Sequence, residues 1–392
     1  MEAFFKTHAH LVEHTTAPVR RLLMDEINWN DRLIAIKGAR GVGKTTFLLQ
    51  YAREHFSTND HKCLFVGMNN FHFQQHGLFD FACNFHRMGG QVLLVDQAYK
   101  LPHWQQELRR CYDNLPALKI VFTGSCAMKL DDEETHLSNL CSCYTLRGFS
   151  LREFINLRTG KNFSHYSFQD ILERHEMIAA NILRQEVNPL DHIRAYLKHG
   201  FYPFFLEQTN YTESLLKSMN MTVEVDILLI HQIEQKYLHK IKRLLYLLAS
   251  DAQATPNVSQ LATDMQTSRA TVMGYLKLLS DAQLLNMVYR KGEYASKKPA
   301  RITLHDTNQL FAIFPRTNEE EIISDTFFQQ NVGIDHQIFI GDRSCNYFVE
   351  NKKFRLCNEE PHRFAPDIYY LRTGITKGHD KQLPLWLLGF MY

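Results

Sequence analysis

No apolar run in this 392-residue sequence approaches the roughly 18 residues that a membrane helix needs. The closing stretch PLWLLGFMY is too short and carries Pro384 and Gly389. The opening MEAFFKTHAHLVEH has no basic region leading into an apolar core, so it does not read as a secretion signal. Neither sign of charge dominates. Lys and Arg number 44 against 42 Asp and Glu, a net +2. That excludes a strongly basic chromatin-type protein, though not a local basic face. C-x-x-C pairs are missing. The cysteines are scattered, as Cys63, Cys83, Cys111, Cys126, Cys141, Cys143, Cys345 and Cys357, and no Cys/His spacing suits zinc. H-E-x-x-H is also missing, so the 20 histidines read as structural. No repeat of fixed period is visible. What remains is ordinary globular composition, 45% hydrophobic and 22% charged, which argues against wholesale disorder. The expectation is a cytoplasmic protein with reduced thiols and two or three domains.

The first part alternates strand and helix signals. Leu33 to Lys37, Cys63 to Val66, Gln91 to Asp96 and Lys119 to Thr123 read as strands, with Ser142 to Leu146 as a fifth. Short β-rich runs separated by helical segments such as Trp104 to Tyr112 imply a parallel sheet covered on both faces. From about Ser150 the pattern turns helical, with long helices expected over Ile171 to Leu183 and Met221 to Ala249. Two short helices then flank a turn at Met265 to Thr267, and a β-wing follows, ending near Leu304. From Asn308 onward the sequence reads as short strands and loops, and the last apolar stretch as a core strand, with a dimer contact in a self-associating protein as the alternative. The expected fold class is α/β. A P-loop NTPase parallel sheet (1–150) is followed by a helical lid region (151–240), a winged-helix domain (241–305) and a small α/β C-terminal domain (306–392).

The strongest motif is Gly38-Ala-Arg-Gly-Val-Gly-Lys44-Thr45, a full G-x-x-x-x-G-K-[ST] between a strand and a helix. Gly38, Gly41 and Gly43 let the backbone curl so that N–H groups point at phosphate. The following helix, opening on Thr45 and Thr46, adds the positive end of its dipole. Lys44 is expected to reach the β- and γ-phosphates and Thr45 to ligate Mg²⁺. Arg40 inside the loop could touch phosphate, but reads more readily as solvated or paired with another side chain. The run VLLVD supplies Asp96 as the partner acid for Mg²⁺. Gln97 follows it. An amide can position the attacking water but cannot accept its proton near neutral pH. At the next strand end, Ser125 or Thr123 could sense the γ-phosphate.

Four blocks carry a resemblance: INWNDRLIAIKGARGVGKTTFLLQYA, VDQAYKLPHWQQELRRCYDNLPALKIVFTGS, LRGFSLREF and YLKHGFYPFFLE. Together they resemble the archaeal-type AAA-family P-loop ATPases, prokaryotic proteins related to the STAND and Swacos groups. The resemblance implies an N-terminal P-loop domain, a helical region, a winged helix and a C-terminal domain that is often restriction-endonuclease-like. It also implies binding of ATP and Mg²⁺. Where the family pattern has D-E-[IVA]-H-K, this sequence has Asp96-Gln97-Ala98-Tyr99-Lys100. Where the family carries an Arg-Arg pair after L-S, this sequence has Leu137-Ser138-Asn139-Leu140. Where an acidic residue and a Gly-Gly-Lys run suggest a nuclease core, it has Phe354-Arg-Leu-Cys-Asn-Glu-Glu360, with Asp342 standing alone. These departures touch catalytic parts and spare the binding loop. A degenerate member is therefore expected, an ATP-binding switch with weak or absent hydrolysis.

In TSRATVMGYLKLL the second short helix is expected to start at Ser268, with Leu261, Val272, Leu276 and Leu279 inside. Arg269, Thr271, Tyr275 and Lys277 are expected to face outward. With Arg290 and Lys291 of the wing, Arg269 and Lys277 form a candidate DNA-contacting set. A structural hinge or protein-docking role is the competing reading. Two further alternatives stand. One is an active ATPase acting on DNA or a protein, in which Arg147 or Arg152 replaces the missing arginines. The other is a DNA-bound regulator with a structural nucleotide.

Overall fold

The strand runs LIAIKG, CLFVG, VLLVD and KIVFTGS are apolar on both faces, and in the computed structural model of the chain they lie side by side in one sheet. The structure describes residues 1–131, 135–207, 210–231, 233–250, 257–293, 297–315 and 320–392. By contact the chain divides into two compact units. The first is Met1–Gly148 with Asp226–Gln232; the second is Phe149–Val225 with Ile233–Tyr392.

The sheet of the first unit contains β1 (Leu33–Gly38), β2 (Cys63–Gly67), β3 (Val92–Asp96), β4 (Lys119–Ser125) and β5 (Ser142–Thr145), in the order β2-β3-β4-β1-β5. Every pairing in it is parallel. Helices Glu2–His14, Lys44–His55, Leu78–Arg87 and Trp104–Asn114 belong to this unit. Part of its core joins Leu33, Leu64, Val66, Leu93, Phe122, Phe81, Phe85 and Leu108. Since β4 is inserted between β1 and β3, its polar C-terminal end, Thr123 to Ser125, lies between the phosphate loop and Asp96.

In the second unit, side-chain caps fix where helices begin. Ser150 and Glu153 form a capping box at Leu151–Thr159, and Ser167 and Asp170 another at Phe168–Leu183. Asn188 caps Pro189–His199, whose first residue is proline. Ser268 caps Arg269–Asp281 by accepting from the Thr271 N–H at 3.1 Å, the start expected from the sequence. That helix follows Val258–Asp264 and precedes an antiparallel pair, β6 (Leu285–Val288) and β7 (Arg301–Leu304). Residues 294–296, within the expected wing, lie outside the described residues. A second five-stranded sheet contains β8 (Ile338–Ile340), β9 (Tyr347–Val349), β10 (Lys352–Cys357), β11 (Ile368–Arg372) and β12 (Gln382–Pro384). Its first three strands form an antiparallel meander, and β10, β11 and β12 are mutually parallel.

Four expectations are corrected. The long helix over Met221 to Ala249 is broken. Tyr211–Met221 passes into a π-helical segment, Thr222–Ile227, then Leu228–His231, and a separate helix runs Leu238–Ser250. Apolar periodicity runs through both pieces and cannot register a π-segment, which shifts the face by one residue. The region after Asn308 is partly helical, with helices at Thr307–Ile313 and Glu320–Val332. The second of these escapes pattern reading because Ser324, Asp325, Thr326, Gln329, Gln330 and Asn331 are polar yet buried. The final stretch forms a buried 3-10 helix, Leu385–Phe390, instead of a strand. Tyr275 is buried, not outward-facing; it lies three residues after Val272, on the apolar stripe.

Candidate nucleotide site

The phosphate loop leaves β1 at Gly38, where an added Cβ would meet the Leu146 carbonyl oxygen at 2.5 Å. Gly41 and Gly43 have φ of 89° and 97°, which glycine adopts without strain. The helix then starts at Lys44 with Gly43 as its N-cap and no side-chain acceptor for the first-turn N–H groups. Those donors, with the helix dipole behind them, suit an anion. Lys44 Nζ donates to the carbonyls of Gly38 and Ala39, both at 2.8 Å, so the ammonium is held inside the loop. Burial lowers its pKa from the usual lysine range. A phosphate taking the place of these carbonyls would restore a full countercharge.

The cation side of the site is a chain of short hydrogen bonds. Thr45 Oγ1 donates to Asp96 Oδ2 at 2.8 Å, and Thr123 Oγ1 donates to Asp96 Oδ1 at 2.5 Å. Thr123 Oγ1 also accepts from the Gln97 N–H at 2.9 Å. Thr123 is thus committed to orienting Asp96, which leaves Ser125 as the strand-end hydroxyl nearer the loop. The register pairs Ser125 with Gly38. A hydroxyl and a carboxylate joined in this way are the oxygen donors a hydrated Mg²⁺ takes beside a nucleotide. Thr46 lies half-buried in the first turn of the helix.

Gln97 has φ 56° and ψ 49°, a left-handed conformation that costs a non-glycine residue roughly 1 kcal/mol. Its side-chain Oε1 is buried and has no hydrogen-bonding partner among the described residues. The neutral amide stands directly after the cation-side acid and has no proton affinity to offer an attacking water.

The residue that sequence reasoning missed is Asp226. It lies in the π-helical segment, far from every motif in the chain, and no local signal points to it. It is only 2% exposed. Arg40 Nη2 donates to Asp226 Oδ1 at 2.5 Å and Arg40 Nε to Oδ2 at 3.3 Å. Tyr99 Oη donates to the same Oδ1 at 2.8 Å and accepts from Arg40 Nη2 at 3.2 Å. Burial is the largest single influence on Arg40 and opposes its charge, but the hydrogen bond to Asp226 and the charges of Asp226, Tyr99 and Asp96 together outweigh it and hold the guanidinium above its usual range. Burial and then the Asp226 charge push the Tyr99 phenol upward. Cys126, the residue after Ser125, is pushed up to about 12 by burial, so its thiol stays neutral.

The other candidates fall in the second unit. Arg269, Lys277, Arg290 and Lys291 are exposed, and Lys291 Nζ donates to Asn351 Oδ1 at 2.8 Å. Arg152 is not available as a replacement for the missing arginines. It is buried and donates to the Tyr392 carbonyl at 2.9 Å and the Phe163 carbonyl at 3.2 Å. Among the described residues no group of three or more His, Cys, Asp or Glu side chains is placed to hold a metal. No helix among them is long and apolar enough to cross a membrane.

The inserted β4, the glycine loop running into a helix and the Thr45–Asp96 pair define the first unit as a P-loop NTPase domain of the α/β class. Residues 30–155 match the AAA domain family, and residues 190–310 match a domain of unknown function (DUF8612). Over residues 30–155 the chain is therefore similar to AAA-type P-loop domains. It is 25% identical over 292 residues to the uncharacterized protein MJ1637 of Methanocaldococcus jannaschii, covering 70% of this chain and 60% of that protein. It is 22% identical over 270 residues to MJ1544 of the same organism, covering 65% of this chain and 56% of that protein. The chain thus spans less than two thirds of the length of these relatives. Among solved structures it is similar to the ORC1 protein of Aeropyrum pernix in complex with DNA. There the identity is 13% and the TM-score 0.29, over 83% of this chain and 92% of that one. For Cdc6p from Pyrobaculum aerophilum the identity is 14% and the TM-score 0.24, over 79% and 98%. At that degree of superposition the likeness adds nothing to the fold already described.

Proposed function

We propose that this chain is an ATP-binding switch in which Mg²⁺–ATP is held tightly and hydrolysed weakly or not at all. Lys44 neutralises the β- and γ-phosphates, Thr45 and Asp96 hold Mg²⁺, and Ser125 reads the γ-phosphate. When bound, Mg²⁺ supplies charge neutralisation between phosphate oxygens. The observation that carries the reading is the intact hydrogen-bonded set Thr45–Asp96–Thr123 next to Gln97, whose amide cannot act as a base. Binding parts are present, and the general base after the acid is not. Nucleotide occupancy would be read out by a helical and winged-helix region (151–305) and by a small α/β C-terminal region (306–392). The test is direct. Equilibrium binding of ATP with and without Mg²⁺ is measured beside phosphate release on the same preparation. Tight, Mg²⁺-dependent binding with negligible release supports the switch. Steady release that disappears in Lys44→Ala makes the protein a working ATPase instead.

A second reading, DNA contact through the winged helix, is favoured by local charge. Residues 236–305 hold eleven Lys and Arg against four Asp and Glu, although the whole chain is near neutral. Arg269 sits at the first turn of the Arg269–Asp281 helix, and Arg290 and Lys291 follow β6. Non-specific duplex binding that falls steeply with salt, and less steeply after Arg269→Ala with Arg290→Ala, supports this reading. Binding with no salt dependence, or none at low salt, refutes it.

A further inference from the structure

The Arg40–Asp226 pair has no part in holding phosphate or metal as described so far. Arg40 lies within the phosphate loop, two residues after Gly38, and its guanidinium is turned to a carboxylate. A guanidinium in this loop is within a side chain's reach of the space where phosphates would lie. Phosphate oxygens and a carboxylate present the same forked acceptor geometry to arginine. The two therefore compete for one cation. Asp226 is supported by Tyr99, which lies three residues after Asp96, so the same carboxylate also answers to the segment following the cation-side acid. Asp226 stands where the chain passes between the two compact units. Its helix is π-wound there, a geometry that is rare and frequent at functional positions.

We infer that Asp226 and Tyr99 form a latch on Arg40 that nucleotide opens: bound phosphate draws the Arg40 guanidinium away from Asp226 and releases the segment 222–231. This inference rests on the nucleotide-binding reading above. The latch is a carboxylate that competes with the ligand, so the resting protein binds ATP more weakly than its loop alone would. It also gives the γ-phosphate a route to the remainder of the chain that needs no hydrolysis, which suits a loop followed by Gln97. Opening takes the cation from the buried Asp226 carboxylate, so release of the segment has to bring Asp226 to water, which then replaces the hydrogen bonds from Arg40 and Tyr99.

The experiment uses the full chain with Mg²⁺–ATP and Mg²⁺–ADP as probes. Asp226→Asn keeps the shape of the side chain and removes the competing charge. ATP affinity should rise about ten-fold, or about 1.4 kcal/mol. The gain should vanish when Arg40→Ala is added, since the competition needs both partners. Hydrogen exchange of residues 222–231 in the unaltered protein should speed up with ATP, and less with ADP. In Arg40→Ala it should be fast and insensitive to either. A merely structural ion pair would not produce the ATP-dependent change. If Asp226→Asn fails to fold, Tyr99→Phe, which loosens the same carboxylate, should show a smaller gain, and the exchange measurement needs no variant. Equal affinities together with nucleotide-independent exchange would overturn the latch while leaving the nucleotide reading intact. No nucleotide binding by the unaltered protein would overturn both.

Discussion

Thr123→Val probes the hinge of the site at almost constant side-chain volume. Thr123 is fully buried, so the substitution opens no cavity and only exchanges a hydroxyl for a methyl. That hydroxyl donates to Asp96 Oδ1 at 2.5 Å and accepts from the Gln97 N–H at 2.9 Å. A hydrogen bond to a charged group contributes about 1.5–3 kcal/mol, and a buried donor left without an acceptor costs about 1–3 kcal/mol. The two effects share one residue and partly overlap. A loss of about 3 kcal/mol is expected, well above the ±0.5 kcal/mol of an ordinary surface change. It should appear in urea unfolding of the full chain and as loss of exchange protection in the amides of β3 and β4. Asp96 would also lose the contact that fixes its rotamer. The Mg²⁺ needed for half-maximal ATP binding should therefore rise about ten- to a hundred-fold, the usual effect of removing a group that orients a metal ligand. A destabilisation under about 0.5 kcal/mol, with an unchanged Mg²⁺ midpoint, would refute the assignment of Thr123 as the residue that orients Asp96.

Two pH-dependent outcomes follow from buried groups in different units. His8 accepts from the Phe65 N–H at 3.1 Å, and burial lowers its pKa from 6.5 to about 4. Folding therefore needs the neutral ring: the contribution is complete above pH 6.5 and is lost as pH falls toward about 4, at most about 3 kcal/mol. His8→Gln should flatten acid unfolding of the first unit in that window, and an unchanged profile would refute this role. Asp306 behaves in the opposite sense, since burial raises its pKa from 3.8 to about 7. The folded state then holds the extra proton. Stability from this group is greatest below pH 3.8 and declines as pH rises toward about 7. Asp306→Asn keeps an acceptor for the Gln309 N–H and for the Tyr202 hydroxyl. It should remove that decline and leave the second unit more stable at pH 8; lower stability at pH 8 would contradict the assignment.

How far each part could be read in advance follows from how local its cause is. The five strands of the first unit and the phosphate loop are local. Apolar runs, glycines at fixed spacing and a helix starting at Lys44 all occur within one stretch of chain. Asp96 was legible for the same reason, as the acid ending an apolar strand. The Thr123 contact was only half legible, because Thr123 and Ser125 are equivalent in sequence and differ only in which one the register brings to Asp96. Asp226 was not legible at all. It meets Arg40 across 186 positions, and nothing in TVEVDI marks one acid above the other. The helix Glu320–Val332 was hidden for a different physical reason. Its buried residues mix polar with apolar, and some of the polar ones are held by other side chains, as where Gln329 Nε2 donates to Tyr347 Oη at 2.9 Å, so no apolar stripe stands out.

In the proposed switch the binding half of an ATPase site works and the water-activating half does not. ATP binding and phosphate release, measured together on the unaltered protein and on Gln97→Glu, test it most directly. The account predicts Mg²⁺-dependent binding with negligible release from the unaltered protein, and measurable release once a carboxylate occupies position 97. Clear turnover by the unaltered protein, abolished in Lys44→Ala, would contradict it and require a base other than the residue after Asp96.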